Sequence, residues 1–479
     1  MNIQIKTPLY AALMEHVNKK PISFHVPGHK YGSINPSEAN PFFEQILKID
    51  ATELSGLDDL HSPEGAIFEG EALLAELFQT KKSYFLVNGS TVGNLAMIMA
   101  ACGEDDIVLV QRNCHKSVLN ALSLAKVRPV FLEPEFDQNW KVAAGVSIET
   151  VKEAVQIYPE ATALILTYPN YYGMSYDLQG ITQQAHQHHI PVLVDEAHGP
   201  HLIIGSPFPA SALQLGADMV VQSAHKTLPA MTMGAFLHVN SGRINEDEVK
   251  GYLEMFQSSS PSYPIMASLD IARNYLATYE RRDLAFLLTE IGRFKEQLNN
   301  VPTIKVLEYP NSLGDPLKIT IQSRCGLSGF ELQRRLEEFS VYTELADPYN
   351  VLFILPLLKE GQCYPFDETI SKIKMAFEDL PHGHLIGEFQ LDNQKISTLA
   401  IPYKEMTNVR VKDILMTEAL GNVCAEAIIP YPPGIPLLLK GERITAEKLS
   451  QLNRLLKSGA RFQGGSALRQ GLIKTFCTT

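Results

Sequence analysis

Cysteine is scarce in this chain and carries no pattern. Six residues, at positions 102, 114, 325, 363, 424 and 477, are spread over 479 with no regular spacing. That excludes a disulfide framework and fits a reducing, cytoplasmic setting. Paired C-x-x-C and H-E-x-x-H motifs are absent. His186, His188 and His189 in AHQHHIP read as a solvated helix end, so no metal centre is expected. No run of 18 apolar residues occurs, and none of the helices is expected to span a membrane. The opening MNIQIKTPLY lacks the basic-then-apolar pattern of a secretion signal. Internal repeats and low-complexity tracts are missing as well. Positive charge is in deficit: 41 Lys and Arg against 53 Asp and Glu give a net charge of −12. Such a surface argues against nucleic-acid binding and draws cationic ligands at long range.

What remains is an ordinary globular composition, 45% hydrophobic and 20% charged, on a chain long enough for about two to three domains. Residues 1–55 read as an N-terminal arm that opens with helix-like TPLYAALMEHV and continues into FHVPGHK. Residues 56–270 alternate short apolar strands with helical runs. VFLEP (130–134), ALILTYP (163–169), PVLVDEA (191–197) and DMVVQS (218–223) are the clearest strands. This is the pattern of an α/β sheet covered by helices on both faces. A long helical stretch from near Pro264 through RNYLATYERRDLAFLLTEIGRFKEQL leads into a smaller α/β domain. Together they cover 271–389, with PLKITI and VLFILP as strands. Residues 390–479 form a C-terminal domain that holds PYPPGIPLL.

Two of the strand-like runs carry the most informative residues. PVLVDEAHG places Asp195 at the end of one run, and ADMVVQSAHKT places Lys226 just past the next. Both runs are continuously apolar, as parallel strands buried on both faces are. Ligands of open α/β sheets sit at the carboxyl ends of such strands. A carboxylate there can hold a pyridinium nitrogen, and a lysine there can form a Schiff base with an aldehyde. The pair describes a seat for pyridoxal 5′-phosphate (PLP). A phosphate seat is offered by SYFLVNGSTVGNLAM, read as a strand over 83–87, a turn at Asn88, Gly89, Ser90 and Thr91, and a helix over 92–101. A small-residue turn entering a helix presents backbone N–H groups and a positive dipole end to an anion. G-x-G-x-x-G is absent there, so this is not the dinucleotide fingerprint. Ser223 and His225, flanking Lys226, are further phosphate candidates. His115, at the expected start of a helix in LVQRNCHKSVLNAL, can stack on a pyridine face, and Cys114 beside it reads as a buried small hydrophobe. His198 can support Asp195 or bond to a ring hydroxyl. Each residue alone has a plainer reading as a cap, a turn or a solvated charge, and the conjunction carries the argument.

With these motifs assembled, the chain resembles the ornithine/lysine/arginine decarboxylase family of fold-type I PLP-dependent enzymes, in the short form without an N-terminal wing domain. The similarity runs in family order through FHVPGHK (24–30), TELSGLDDLHSPEG (52–65), FLVNGSTVGNLAM (85–97), RNCHKSV (112–118), PVLVDEAHG (191–199), QSAHKTLPAMT (222–232) and PYPPGIPLL (430–438). The resemblance implies an aspartate aminotransferase-like large domain with a mixed, mostly parallel sheet, a smaller α/β domain and a C-terminal decarboxylase domain. It implies Lys226 as the Schiff-base lysine, Asp195 as the partner of the ring nitrogen and His115 as the stacking residue. Gly89, Ser90, Thr91, Ser223 and His225 match the phosphate seat. Ala197 would lie on the ring face opposite His115, and His198 near the ring oxygen. A homodimer with active sites at its interface, or a larger homo-oligomer, is implied too. In it, Ser259 or Ser260 of QSSSPSYP (257–264) would reach the neighbouring subunit's phosphate. YPPGIP (431–436) would stand near the substrate entrance, with Glu426 contacting a basic side chain.

The expected reaction is decarboxylation of a basic amino acid, arginine before lysine before ornithine, to the amine and CO₂. Asp195 beside the ring nitrogen raises that nitrogen's pKa and keeps it protonated as an electron sink. A less polar surrounding favours loss of CO₂, because charge disperses as it leaves. Lys226 or His225 supplies the proton to Cα. Asp58, Asp59, Glu64 and Glu426 are the acids available for a distal cation. One alternative is an aminotransferase or another PLP lyase, which needs an arginine for the α-carboxylate; Arg324 in QSRCG is the one visible candidate. The other is a catalytically idle PLP-binding regulator.

Overall fold

The structure, a computed structural model, describes residues 3–310, 313–381, 383, 395–430, 436–457 and 459–477. The chain divides into two units, Met1–Ala101 with Leu193–Gly205 and Ala210–Glu280, and Cys102–Val192 with Ser206–Pro209 and Arg281–Thr479.

In the first unit the strands follow the order Lys82–Leu86, Ala235–Val239, Met219–Gln222, Val192–Asp195. The first two junctions are antiparallel. The third is parallel, and there Asp195 lies opposite Val221. The last three strands are buried along their whole length, which explains why their sequences show no polar alternation. PVLVDEA and DMVVQS therefore form strands where the sequence places them. The strand over 83–87 begins one residue earlier, and its helix begins at Gly89 instead of Val92, so Gly89, Ser90 and Thr91 make the first turn of Gly89–Ala101. Gly89 turns the chain from strand to helix at φ +78°, a conformation that costs glycine little.

The N-terminal arm is tied down by one buried arginine. Arg273, on helix Tyr263–Ala277, has no exposed surface and donates to Gln4 O at 2.9 Å, Gln4 Oε1 at 3.0 Å and Asp270 Oδ1 at 3.0 Å, and also to Lys6 O. Asp270 Oδ2 accepts from Leu9 N at 3.0 Å, at the start of helix Pro8–Asn18. The charge pair is buried and braced by these further hydrogen bonds, the condition under which such a pair persists.

The helical stretch expected from Pro264 onward is two helices, Tyr263–Ala277 and Arg281–Asn299. Thr278 ends the first. Its hydroxyl donates to Asn274 O at 2.7 Å and its N–H to the same carbonyl at 3.0 Å, so the carbonyl needs no continuing turn. The break coincides with the boundary between the units.

In the second unit, strand Ile107–Gln111 pairs parallel with both Arg128–Leu132 and Ala163–Thr167. Ile396–Thr398 closes one edge, antiparallel to Arg128–Leu132. The smaller sheet is antiparallel in the order Ile304–Val306, Lys318–Ser323, Asn350–Ile354, Leu345–Ala346, and contains both strands expected of it. Trp140, the single tryptophan, is 2% exposed in a cluster with Tyr172, Met174, Leu307 and Leu345. It stacks on Tyr309 at 5.0 Å between ring centroids and donates to Glu308 O at 3.2 Å, so a large aromatic surface is buried with its N–H satisfied. Toward the C-terminus, Val411–Leu415 pairs antiparallel with Leu472–Phe476 over a small core that includes Cys424, Ile428, Leu438, Leu452 and Ile473. Residues 431–435, most of YPPGIP, lie outside the described residues.

Candidate active site

Two strand ends of the first unit carry the residues that the sequence singles out. Asp195 closes its strand at 4% exposure. Its Oδ2 accepts from Asn94 Nδ2 at 2.9 Å and its Oδ1 from Ala197 N at 3.1 Å, so each oxygen is fixed by one neutral donor. Past the adjacent strand, Ala224–Thr227 forms one short helical turn with Ser223 as its N-cap residue. Lys226 is half-buried on that turn, and its Nζ lies 3.1 Å from His198 Nε2. His225 Nδ1 donates to Gly234 O at 2.9 Å, which leaves Nε2 as the ring's other polar atom. The strand ends are themselves locked together: Glu196 N donates to Val221 O at 2.9 Å, and Ser223 N to Ala197 O at 3.2 Å.

Helix Gly89–Ala101 brings its N-terminus to the same place. Ser223 Oγ donates to Ser90 Oγ at 2.8 Å, and Gly89 N donates to Met233 O at 2.8 Å. Thr91 is exposed beside them. Gly93 is needed here, since a Cβ would stand 2.3 Å from Val221 Cγ2 and 2.8 Å from Leu86 Cδ1. Helix and strand approach more closely than any side chain allows. The result is a half-open set: hydroxyls and a helix N-terminus for an anion, an amine beside an imidazole, and a carboxylate with both oxygens oriented. Gly89, Ser90, Thr91, Asp195, Ala197, His198, Ser223, His225 and Lys226 all belong to this unit.

A buried polar chain lies next to Asp195 that sequence reasoning missed. Glu196, with no exposed surface, accepts from Ala212 N at 2.6 Å, Ser211 Oγ at 2.8 Å and Gln222 Nε2 at 2.5 Å. Gln222 Oε1 accepts from His238 Nε2 at 3.2 Å, and His238 Nδ1 pairs with Ser83 Oγ at 2.7 Å. Burial pushes the Glu196 carboxyl up to about 7 despite its donors, and pushes His238 down to about 3. His238 is therefore neutral, and three strands contribute one link each to the chain, with Glu196 just past the end of the fourth. The available signal was the polar residue inside each apolar run: Ser83, Gln222 and His238.

Asp58 has a local task. At φ +71° it gathers backbone N–H groups of Asp59, Glu64, Gly65, Ile67 and Phe68 at 2.8–3.2 Å, at the start of helix Ala66–Phe78. Burial would raise its carboxyl, but those donors hold it below the usual range. The loop is joined to the serine-rich segment: Tyr263 Oη donates to Asp58 O at 2.5 Å, and His61 Nε2 lies 2.9 Å from Ser258 O. Ser259 and Ser260 are exposed there.

In the second unit, His115 is the exposed N-cap of helix Lys116–Leu124. Its Nδ1 accepts from Ser117 N at 3.2 Å, which assigns the ring proton of the neutral form to Nε2. Cys114 is fully buried, as expected. Three residues before His115, Arg112 donates to Glu442 Oε1 at 2.6 Å and Oε2 at 2.8 Å, and lies 3.2 Å from Glu133. Burial alone would lower Arg112, but the two carboxylates hold it above its usual value, while Arg112 and Lys448 hold Glu442 below the usual carboxylate range. Breaking such a buried pair costs about 3–5 kcal/mol. This pair ties the segment carrying His115 to residues near the C-terminus. Glu426 is half-buried, and its carboxylate accepts from Gly465 N at 2.9 Å and Lys474 N at 3.4 Å. A basic side chain would compete with those groups. Arg324 is exposed, beside strand Lys318–Ser323. Among the described residues no group of three His, Cys, Asp or Glu could hold a metal ion, and no helix is long and apolar enough to cross a membrane.

Comparison with known proteins identifies the family and the fold. Residues 7–313 match the family described as Orn/Lys/Arg decarboxylase, major domain, and residues 388–474 its C-terminal domain. The chain is 47% identical over 470 residues to "Uncharacterized protein YaaO" of Bacillus subtilis (strain 168), covering 97% of this chain and 98% of that one. It is 34% identical to an arginine decarboxylase of the same organism, covering 96% of each. Among solved structures, Escherichia coli constitutive lysine decarboxylase superposes with a TM-score of 0.81 at 20% identity, over 98% of this chain and 82% of that one. The last likeness establishes the fold, and the fold-type I α/β architecture expected from the sequence is borne out.

Proposed function

The chain belongs to the Orn/Lys/Arg decarboxylase family, and from that membership we propose that it uses PLP to remove the α-carboxyl group of a basic amino acid, arginine before lysine before ornithine. The observation that carries the reading is the set at two adjacent strand ends: oriented Asp195, half-buried Lys226 and the Ser90–Ser223 hydroxyl pair at a helix N-terminus. That donor set fits PLP in charge and chemistry. An anion seat, an amine for an aldehyde and a carboxylate for a ring nitrogen are all present, and bound PLP supplies an electron sink for the α-carbon. Lys226 Nζ would carry the aldehyde, with His198 positioned to exchange a hydrogen bond with it. Asp195 holds the proton of the ring nitrogen. Gly89, Ser90, Thr91, Ser223 and His225 hold the phosphate. Ala197 would lie against one ring face, and the family resemblance assigns the other to His115. Lys226 Nζ or His225 Nε2, the nitrogen not engaged by Gly234, would donate the proton that replaces the carboxylate at Cα.

The relatives named arginine decarboxylase, at 32–34% identity over most of the chain, support arginine as first substrate. The test is CO₂ release with PLP from arginine, lysine and ornithine at matched concentrations. Release fastest from arginine is expected, with agmatine as product. A keto acid in place of CO₂ would establish transamination. PLP bound with no turnover of any of the three would establish a regulator.

We place the enzyme in the cytoplasm as a homodimer. The N-terminal segment supports the dimer, because Ile22, Phe24, Val26, Ile34 and Phe42 are exposed within 21 residues of one another, and Phe24 is 97% exposed in the single chain. Apolar exposure of that density calls for a covering surface. Ser259 or Ser260 then reaches the partner's phosphate. Sedimentation at assay concentration should show a dimer, and a fully active monomer would reject both the dimer and the serine contact.

A further inference from the structure

We propose that Asn94 is a positioning residue that aims the Asp195 carboxylate at the ring nitrogen of PLP, an inference that rests on the PLP reading above. Asn94 has no exposed surface, and its Nδ2 donates to Asp195 Oδ2 at 2.9 Å. The other oxygen receives Ala197 N. With one donor on each oxygen, from two different elements, rotation of the carboxylate is blocked while lone pairs remain for a third donor. The asparagine is suited to this place because it is neutral. It donates without cancelling the charge that the ring nitrogen requires, as a lysine or arginine would.

The same helix holds the other end of the site. Ser90 and Asn94 are four residues apart and so share a face of Gly89–Ala101. Ser90 is bonded to Ser223 and Asn94 to Asp195, at the ends of two strands whose register is fixed by the Asp195–Val221 pairing. Gly93 lets that helix lie directly on Val221. One rigid helix thus sets the distance between the phosphate seat and the carboxylate, and Asn94 is its contact at the carboxylate end.

The test compares wild type, Asn94→Leu and Asn94→Asp as purified full-length proteins, reading PLP affinity by equilibrium dialysis from acid to alkaline pH, with kcat and KM alongside. Asn94→Leu should weaken PLP by about tenfold to a hundredfold, the scale for losing a hydrogen bond to a charged group, and lower kcat more than it raises KM. In Asn94→Asp the two touching carboxyls hold one proton between them on the acid side, and that proton restores the donor. As pH rises the proton is lost and like charges repel. PLP affinity of this variant should therefore approach wild type at low pH and fall away from it as pH rises. Glu196, His198, His225 and Lys226, on the elements packed around Asp195, are the same in all three proteins, so the comparison isolates position 94. Equal weakening of both variants at every pH, or weakening in neither, would overturn the proposal. Should Asn94→Leu fail to fold, the pH profile of Asn94→Asp decides alone. A wild-type protein that binds no PLP would instead reject the cofactor reading itself.

Discussion

Replacing Lys226 with alanine should abolish the visible absorption band that PLP acquires when its aldehyde condenses with Lys226 Nζ, and should reduce CO₂ release to background. Condensation of the amine with the aldehyde would form a C=N bond and release water, and Lys226 is the single lysine between Asp195 and Gly234. The loss should be on the order of a thousandfold or more, the scale at which removal of a covalently engaged residue leaves only binding and orientation. PLP should remain bound without a covalent link through Ser90, Thr91, Ser223 and the helix N-terminus, so its absorption should be that of the free aldehyde. The readout is an absorption spectrum taken beside the rate assay. A band that survives in Lys226→Ala would mean that another amine carries the cofactor.

Asp195→Ala should retain PLP and its link to Lys226 yet lose most turnover, again about a thousandfold. In the proposed reading the carboxylate would keep the ring nitrogen protonated, and an unprotonated ring is a poor electron sink. The alanine variant should also lose stability, because Asn94 Nδ2 and Ala197 N, buried around a missing acceptor, each forfeit a partner. An unsatisfied buried group costs about 1–3 kcal/mol. Asp195→Asn separates the two effects. Its amide oxygen can still accept from one of those donors, so the thermal midpoint should sit closer to wild type, while the rate should stay low because the charge is gone. Near-normal turnover in either variant would remove Asp195 from its assigned role.

Much of this site was legible in the chain because its residues sit where regular elements end. Strand ends are marked by a polar residue closing an apolar run, and Asp195 and Ser223 are of that kind. The helix of the phosphate seat was placed three residues late, since glycine and hydroxyl residues read as a turn when backbone direction is unknown. The contacts that fix the site were hidden for a different reason. Asn94 and Asp195 are 101 positions apart and Arg112 and Glu442 are 330 apart; periodicity describes neighbours within an element and says nothing of such pairs. Asp58 shows how a local structural task stays hidden in a loop sequence. An acid in a polar loop invites assignment to a cationic substrate, whereas its left-handed backbone turns five N–H groups toward its own carboxylate.

The solitary indole has a practical meaning. Trp140 is sealed against Tyr309 in the second unit, and the first unit has no tryptophan at all. Emission from that indole is thus a gauge of one half of the molecule. A chromophore carried on Lys226 would be the gauge of the other. With PLP so held, each half would bear its own optical label, and a denaturation followed in both colours would distinguish a chain that melts in one step from one whose halves let go in turn.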